Sequence, residues 1–407
     1  MLCFSRDKHR IINMVTEISS YEYNLSQKAG LIKIDESSKN KLKKAFNDFT
    51  KESPMFKPKK CMICGVDFGT QGSSSSICIS HSIPRHSLKS ISENGKLYSL
   101  NKFIGFKIKE EEQGTKNAGT FRLICRKCDS LAFREYENFS NYTYNFNANR
   151  NTNHVQKILN EIAMKNYLSS IYSKENSILL CKHALRHKPM HNIYYAENFL
   201  ESLLSRDQTD LRDSRNSFQT TKRLSQKNLI DSYRIIYYNK LKRKAPVALQ
   251  GVLTPVRSFD GTIVNNVFRN DAKMQNAHIC MFPSADYTIV LVFARKTDGR
   301  VLNGLKILRN LSEDAATKAV LSMALDYIED IFFSHEAAPE SITQNPYLRE
   351  LAGDTQTTEF EISSDSPIPA NIENILEARS REQFLASPPL ISRYAEIPNE
   401  LIGICNA

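Results

Sequence analysis

The chain has 407 residues, 41% of them hydrophobic, and a formal net charge of +11. This is material for a sizeable core and about two or three domains. MLCFSRDKHRIINMV at the start lacks the apolar run of a secretory signal, and no stretch nears the ~18 consecutive apolar residues of a membrane span, so neither a secreted nor a membrane-spanning protein is expected, and a cytoplasmic location is.

The charge is uneven. Residues 1–250 hold 42 Lys and Arg against 23 Asp and Glu, whereas residues 251–407 hold 13 against 21. A basic front and an acidic back suit contact between the front and a polyanion such as nucleic acid, with solubility alone as the other reading.

In chain order, residues 1–55 read as a helical arm. Asp35, Glu36, Ser37 and Ser38 form a start signal, with Leu42, Ala45 and Phe46 at helical spacing behind it. Pro54 and Pro58 end the arm. Residues 56–145 form a module bounded by cysteines. It has a flexible Gln71–Ser76 insertion, short strands over 77–79 and 96–100, and a helix expected from about Cys128 or Asp129 carrying Leu131, Phe133, Tyr136 and Phe139. The Asn-rich stretch 141–153 reads as an exposed loop or linker. Residues 146–246 read as a helical basic region, with Val155, Ile158, Leu159, Ile162 and Ala163 on one face. Residues 247–345 read as an α/β domain with strands over 252–256, 263–268, 279–282 and 287–294, then a helix from Ser312 to Phe333 capped by Ser312. The last stretch, 346–407, rich in Pro, Ser and Thr, reads as a loosely ordered tail.

Four of the nine cysteines form two Cys-x-x-Cys clips, Cys61 with Cys64 and Cys125 with Cys128. Two such clips supply the four thiolates of a closed, tetrahedral Zn²⁺ site, which is structural because no position is open to water. The other five cysteines are scattered, which is metal-site usage and not a disulfide framework. A weaker cluster, Cys181, His183, His187 and His191, sits at short spacing. A basic, phosphate-facing turn with Arg186 and Lys188 suits it better than a metal, because Pro189 interrupts the helix that would align the ligands.

Between the clips lies Ser80-His81-Ser82-Ile83-Pro84, and Asp129 follows the second clip directly. Over roughly residues 59–140 this order resembles the zinc-stapled branch of the HNH (ββα-metal) endonucleases. It also resembles uncharacterised bacterial and phage-type proteins carrying a Ser-His-x-Ile-x-Arg segment, here Ser80 to Arg85, and a clip followed by Asp, Leu-x-Phe and Glu, here Asp129, Leu131 to Phe133 and Glu137. The resemblance implies a zinc-stapled ββα-type module; with the helical middle region and the C-terminal antiparallel sheet plus helix read from the residue patterns above, the expected fold class is α+β. The resemblance also implies that His81 is the general base and that Asp129, with Glu137 or Glu135 beside it, holds a catalytic Mg²⁺ or Mn²⁺. Ser80 stands where the family has an acidic ligand, and Thr120 where it has its middle Asn. A hydroxyl is a much poorer ligand for a hard cation.

Phosphodiester hydrolysis needs a base near neutral pKa, a cation on the phosphate and positive groups to hold the strand. Arg85, Lys89, Arg126 and Lys127 flank both motifs and suit that last task. The expectation is therefore a metal-dependent nuclease acting on DNA. The alternative, favoured by Ser80, is a non-catalytic zinc-stapled nucleic-acid-binding or adaptor protein. His81 is also readable as a packed histidine and Asp129 as a helix cap.

Overall fold

Two runs in the second half of the chain, Ala277–Pro283 (β7) and Thr288–Arg295 (β8), are apolar at nearly every position, which is what a strand covered on both faces requires. They lie inside a seven-stranded sheet. In the computed structural model, residues 55–70, 75–99, 113–142, 146, 152–186, 194–225, 232–265, 274–328, 330–335, 337 and 394–404 are described. The strands are β1 (Ser80–His81), β2 (Lys96–Ser99), β3 (Gln113–Gly114), β4 (Thr120–Phe121), β5 (Tyr233–Leu241), β6 (Val247–Leu253), β7, β8 and β9 (Ile331–Phe333). The sheet order is β3-β2-β9-β6-β7-β8-β5, and every pairing is antiparallel; β1 and β4 form a separate two-stranded ribbon.

Side chains alternate between the two faces of the sheet. Cys280, Phe282, Ile289, Leu291 and Phe293 enter one core, together with the cysteine module and the long helix α3 (Asn153–Arg186). Ile279, Met281, Val290 and Val292 enter the other, beneath α6 (Glu313–Tyr327) and residues 394–404. The remaining helices are α1 (Arg85–Ile91), α2 (Arg126–Ala132), α4 (Tyr194–Ser225), which pairs with α3 as a hairpin, and the short α5 (Gly299–Gly304).

The mixed α+β class is observed, with an antiparallel sheet, and several elements differ from expectation for identifiable reasons. Residues 233–241, read as part of the helical region, form edge strand β5. Its Tyr-Arg-Ile-Ile-Tyr-Tyr composition suits a half-buried strand, and Arg309 donates to the Ile235 and Ile236 carbonyls at 2.7 and 2.9 Å beside the bulge in that strand. The helix expected over 312–333 does start at Ser312, whose hydroxyl accepts from the Ala315 N–H. It stops at Tyr327, and 331–333 become β9 between β2 and β6. The stretch 141–153 is not simply exposed: Tyr142 and Phe146 are fully buried, and the Tyr142 hydroxyl donates to the Tyr136 carbonyl at 2.8 Å. In the expected loose tail, Ile397, Leu401 and Ile402 are buried, and Arg243 donates to the Ile402 carbonyl at 2.9 Å. The N-terminal arm up to 54, most of the Ser-rich insertion, residues 266–273 with the end of the strand expected over 263–268, and residues 338–393 lie outside the described residues.

The module is built into the sheet. Tyr98 and Ser99 of β2 pair with Phe333 and Phe332 of β9, and Ser90 of α1 donates to the Pro283 carbonyl at 2.9 Å. Helix α3, about 51 Å long at 1.5 Å per residue, presents polar groups on the face it buries. Gln156 binds the backbone of Ser232 and Tyr233, Asn166 binds the Gly251 carbonyl, and Ser169 donates to Asp330.

Glu161 is the α3 residue that holds the segment after α2. Its carboxylate accepts the N–H groups of Glu135 and Tyr136, both at 2.9 Å. These bonds take N–H groups that a longer α2 would use, so the chain turns after Ala132 instead of continuing as a helix. Burial pushes the Glu161 carboxyl up to about 7 despite those two donors. A carboxyl with a raised folded-state pKa binds its proton more tightly when folded, so its contribution to stability falls as pH rises from the unfolded value through about 7. Glu161→Gln keeps an acceptor and removes the charge. Its stability relative to wild type should grow by on the order of 2–3 kcal/mol between pH 5 and pH 8 in urea unfolding; a difference that stays flat with pH would contradict this assignment.

Candidate metal centre and the site beside it

Each cysteine clip is a tight backbone loop. The Gly65 N–H donates to the Cys61 carbonyl at 2.8 Å and the Cys61 N–H to the Val66 carbonyl at 3.0 Å. Gly65, at φ +76°, takes the left-handed turn that lets Cys64 fold back. Cys125 precedes the first residue of α2 and Cys128 lies in its first turn, so the second clip is set by the helix start, two to three residues earlier than the sequence suggested. The Met62 N–H donates to the Leu123 carbonyl at 3.0 Å, which lays one clip against the other.

The sulfur atoms of Cys61, Cys64, Cys125 and Cys128 all lie within 4.8 Å of one another. The Cys64 and Cys125 sulfurs are 3.9 Å apart, close to the about 3.8 Å edge of a tetrahedron with 2.3 Å Zn–S bonds. Burial and the crowding of the other sulfurs push the Cys128 thiol far above its ordinary range, and burial raises Cys61. Four thiols packed this closely want a cation at their centre. The residues therefore fit a metal such as zinc, held by these four cysteines, and its chemistry there would be structural.

Beside it, β1, β4 and α2 come together in the order strand, strand, helix. Ser80 pairs with Phe121 and His81 with Thr120. Asp129, in the first turn of α2, is the hub. Its Oδ1 accepts from the Ser80 hydroxyl at 2.5 Å and from the Lys165 ammonium at 3.0 Å, and its Oδ2 accepts from the Cys78 thiol at 3.3 Å. Lys165, from the middle of α3, also donates to Glu137 at 3.3 Å and lies 4.0 Å from the Phe133 ring centroid. Its side chain is 1% exposed, against 25% for Asp129 and 47% for Glu137. Burial raises the Asp129 carboxyl, but Lys165 and the Ser80 and Cys78 donors outweigh it and hold it below the usual range. Burial and the Asp129 carboxylate push the Cys78 thiol up to about 12.

His81 donates from Nε2 to the Thr115 carbonyl at 3.0 Å, which leaves Nδ1 as the basic nitrogen. Burial lowers its pKa, the cations of Lys165 and Arg85 lower it further, and the Thr115 bond opposes them. The imidazole is therefore neutral at neutral pH, as a base must be. Gly119, facing this turn at φ +58°, allows the close approach: a Cβ there would stand 2.6 Å from the Ser82 hydroxyl.

The structure thus brings together His81, Asp129, Glu137 and Ser80. An ammonium stands among them. Ser80 and Asp129, which would flank a divalent ion, bond to each other, and Lys165 balances one of the two charges that Asp129 and Glu137 would offer a metal. With an internal ammonium already in place, this donor set is poorer for Mg²⁺ or Mn²⁺ than a carboxylate pair alone. Glu135 faces elsewhere, bonding Asn141 and Lys157. Arg85 and Lys89 on α1 and Arg126 and Lys127 on α2 are all exposed. Of the weaker cluster, Cys181 is buried in α3, while His187 and His191 lie outside the described residues. Sequence reasoning missed Lys165. Its signal was a lysine three residues after Ile162, on the face of α3 that otherwise reads as core.

No family model, curated protein or solved structure matches the chain.

Two outcomes follow from this geometry. Purified protein should carry about one zinc per chain by elemental analysis, and Cys61→Ser should lose most of it together with the module's resistance to proteolysis. Asp129→Asn, which weakens the pairing of a buried ammonium, should cost roughly 3 kcal/mol in urea unfolding, and adding Lys165→Met should restore much of the loss. Simple additivity of the two substitutions would show that the pair is not coupled.

Proposed function

We propose that this chain is a non-catalytic, zinc-stapled nucleic-acid-binding protein, in which a strand-strand-helix frame of HNH type holds a recognition surface. The observation that carries the reading is Lys165. Its buried ammonium sits 3.0 Å from Asp129 and 3.3 Å from Glu137, so the protein itself already balances one of the two negative charges of the acidic pair. Ser80, a hydroxyl where a carboxylate would complete a cation site, points the same way. The exposed Arg85, Lys89, Arg126 and Lys127 around the frame, on the basic half of the chain, supply the electrostatic attraction for a polyanion.

A second reading, a Mg²⁺- or Mn²⁺-dependent DNA nuclease with His81 as general base, is favoured by the free Nδ1 of a neutral His81 beside Asp129. Nicking of supercoiled DNA separates the two. With Mg²⁺ or Mn²⁺ the protein should bind DNA with affinity falling steeply as salt rises, and should leave it uncut. Metal-dependent nicking that His81→Ala abolishes, with zinc content unchanged, would establish the nuclease reading instead.

A further inference from the structure

The outer face of the β1–β4 ribbon carries side chains that the fold does not use. Cys78 and Ser80 both turn toward Asp129, so in an extended chain their neighbours turn the other way. Those neighbours are Ile77 and Ile79, 36% and 48% exposed. The ribbon extends beneath them: Ile77 bridges to Cys125, and the Cys78 N–H donates to the Ile124 carbonyl at 2.9 Å.

Cations surround this aliphatic strip. Arg122 is exposed and directly follows Phe121, the partner of Ser80, which places it across from Ile79. The Arg126 N–H donates to the Ser76 carbonyl at 3.1 Å, which places the start of α2 beside Ile77. At the other end Arg85 is near enough to His81 to disfavour its protonation. Exposed arginines thus lie at both ends and along one edge of an exposed apolar strip.

Single-strand binders hold bases by stacking them on aromatics, whereas the exposed side chains of this strip, Ile77 and Ile79, are aliphatic. Aliphatic side chains flanked by arginine suit a duplex groove, where they press on sugars and base steps while the cations meet the two backbones. The wide groove of an RNA duplex displays 2′-hydroxyls, which aliphatic groups do not satisfy.

We propose that the outer face of the β1–β4 ribbon docks on a DNA duplex, with Arg85, Arg122 and Arg126 on the phosphates and Ile77 and Ile79 against the groove. The proposal rests on the nucleic-acid reading above and assigns its surface and its form of DNA. It is tested by fluorescence anisotropy of the full chain with a short labelled DNA duplex, its single strand and the matching RNA duplex, each over a series of salt concentrations. The DNA duplex should bind tightest. Arg122→Ala should reduce the salt slope of log K by about one. The double change Ile77→Ser with Ile79→Ser should weaken binding roughly tenfold at every salt concentration and leave the slope unchanged. Ile77→Thr with Ile79→Thr keeps strand propensity and guards against misfolding, and zinc content and circular dichroism verify each variant. Absence of any binding at low salt overturns both this assignment and the nucleic-acid reading. Duplex binding that all these variants leave unchanged overturns the ribbon alone. Preference for the single strand or the RNA duplex overturns the choice of DNA duplex.

Discussion

A lysine ammonium removed almost wholly from water must be met by negative charge and hydrogen-bond acceptors, because an unpaired buried cation costs several kcal/mol. Lys165 is in that position, and its needs fix the surrounding geometry. Asp129 must present its carboxylate from the first turn of α2, and Glu137 must reach in from the turn beyond. Phe133 lies between them with its ring 4.0 Å from the ammonium, a favourable cation–π distance. Ser80 and Cys78 then complete the Asp129 carboxylate from the strand side. One charge on α3 thereby orients the ribbon, α2 and the segment after it.

The cysteine site and the lysine site divide the work of holding this frame. The four sulfurs join the knuckle at 61–64 to the start of α2, and Lys222 from α4 donates to the Met62 carbonyl at 3.2 Å, tying that knuckle to the helical hairpin. The lysine site acts from the next residue, Asp129, and ties α2 to α3. Neither uses the exposed face of the ribbon, so side chains there are free of structural duties and are open to selection by a partner. A rigid frame with an unburdened surface is what recognition needs.

The sequence disclosed local chemistry better than long-range pairing. Both cysteine clips, the Ser312 cap and the apolar runs of β7 and β8 are written in adjacent residues, and each is where spacing or period places it. The end of α2 could not be read in that way, because the Glu161 carboxylate that captures the Glu135 and Tyr136 N–H groups belongs to a helix more than twenty residues later. The fate of 331–333 was hidden for the same reason: Ile331, Phe332 and Phe333 suit a helix face as well as a strand, and β2 and β6 decide between them. At the candidate site, His81, Asp129 and Glu137 were legible from motif order. Lys165 was not, since nothing near it in sequence says that a lysine in an amphipathic helix will be drawn inward by two distant carboxylates.

The insertion of β9 between β2 and β6 has a consequence for how the chain comes to be made. Tyr98 and Phe333 face each other across that pairing, although well over two hundred residues separate them. On a ribosome adding about 5–20 residues per second, β2 waits on the order of ten seconds or more for its neighbour. Contacts of such separation slow folding, and an unpaired strand edge invites association with other chains. During that interval a metal-filled cysteine site would keep the nascent module closed.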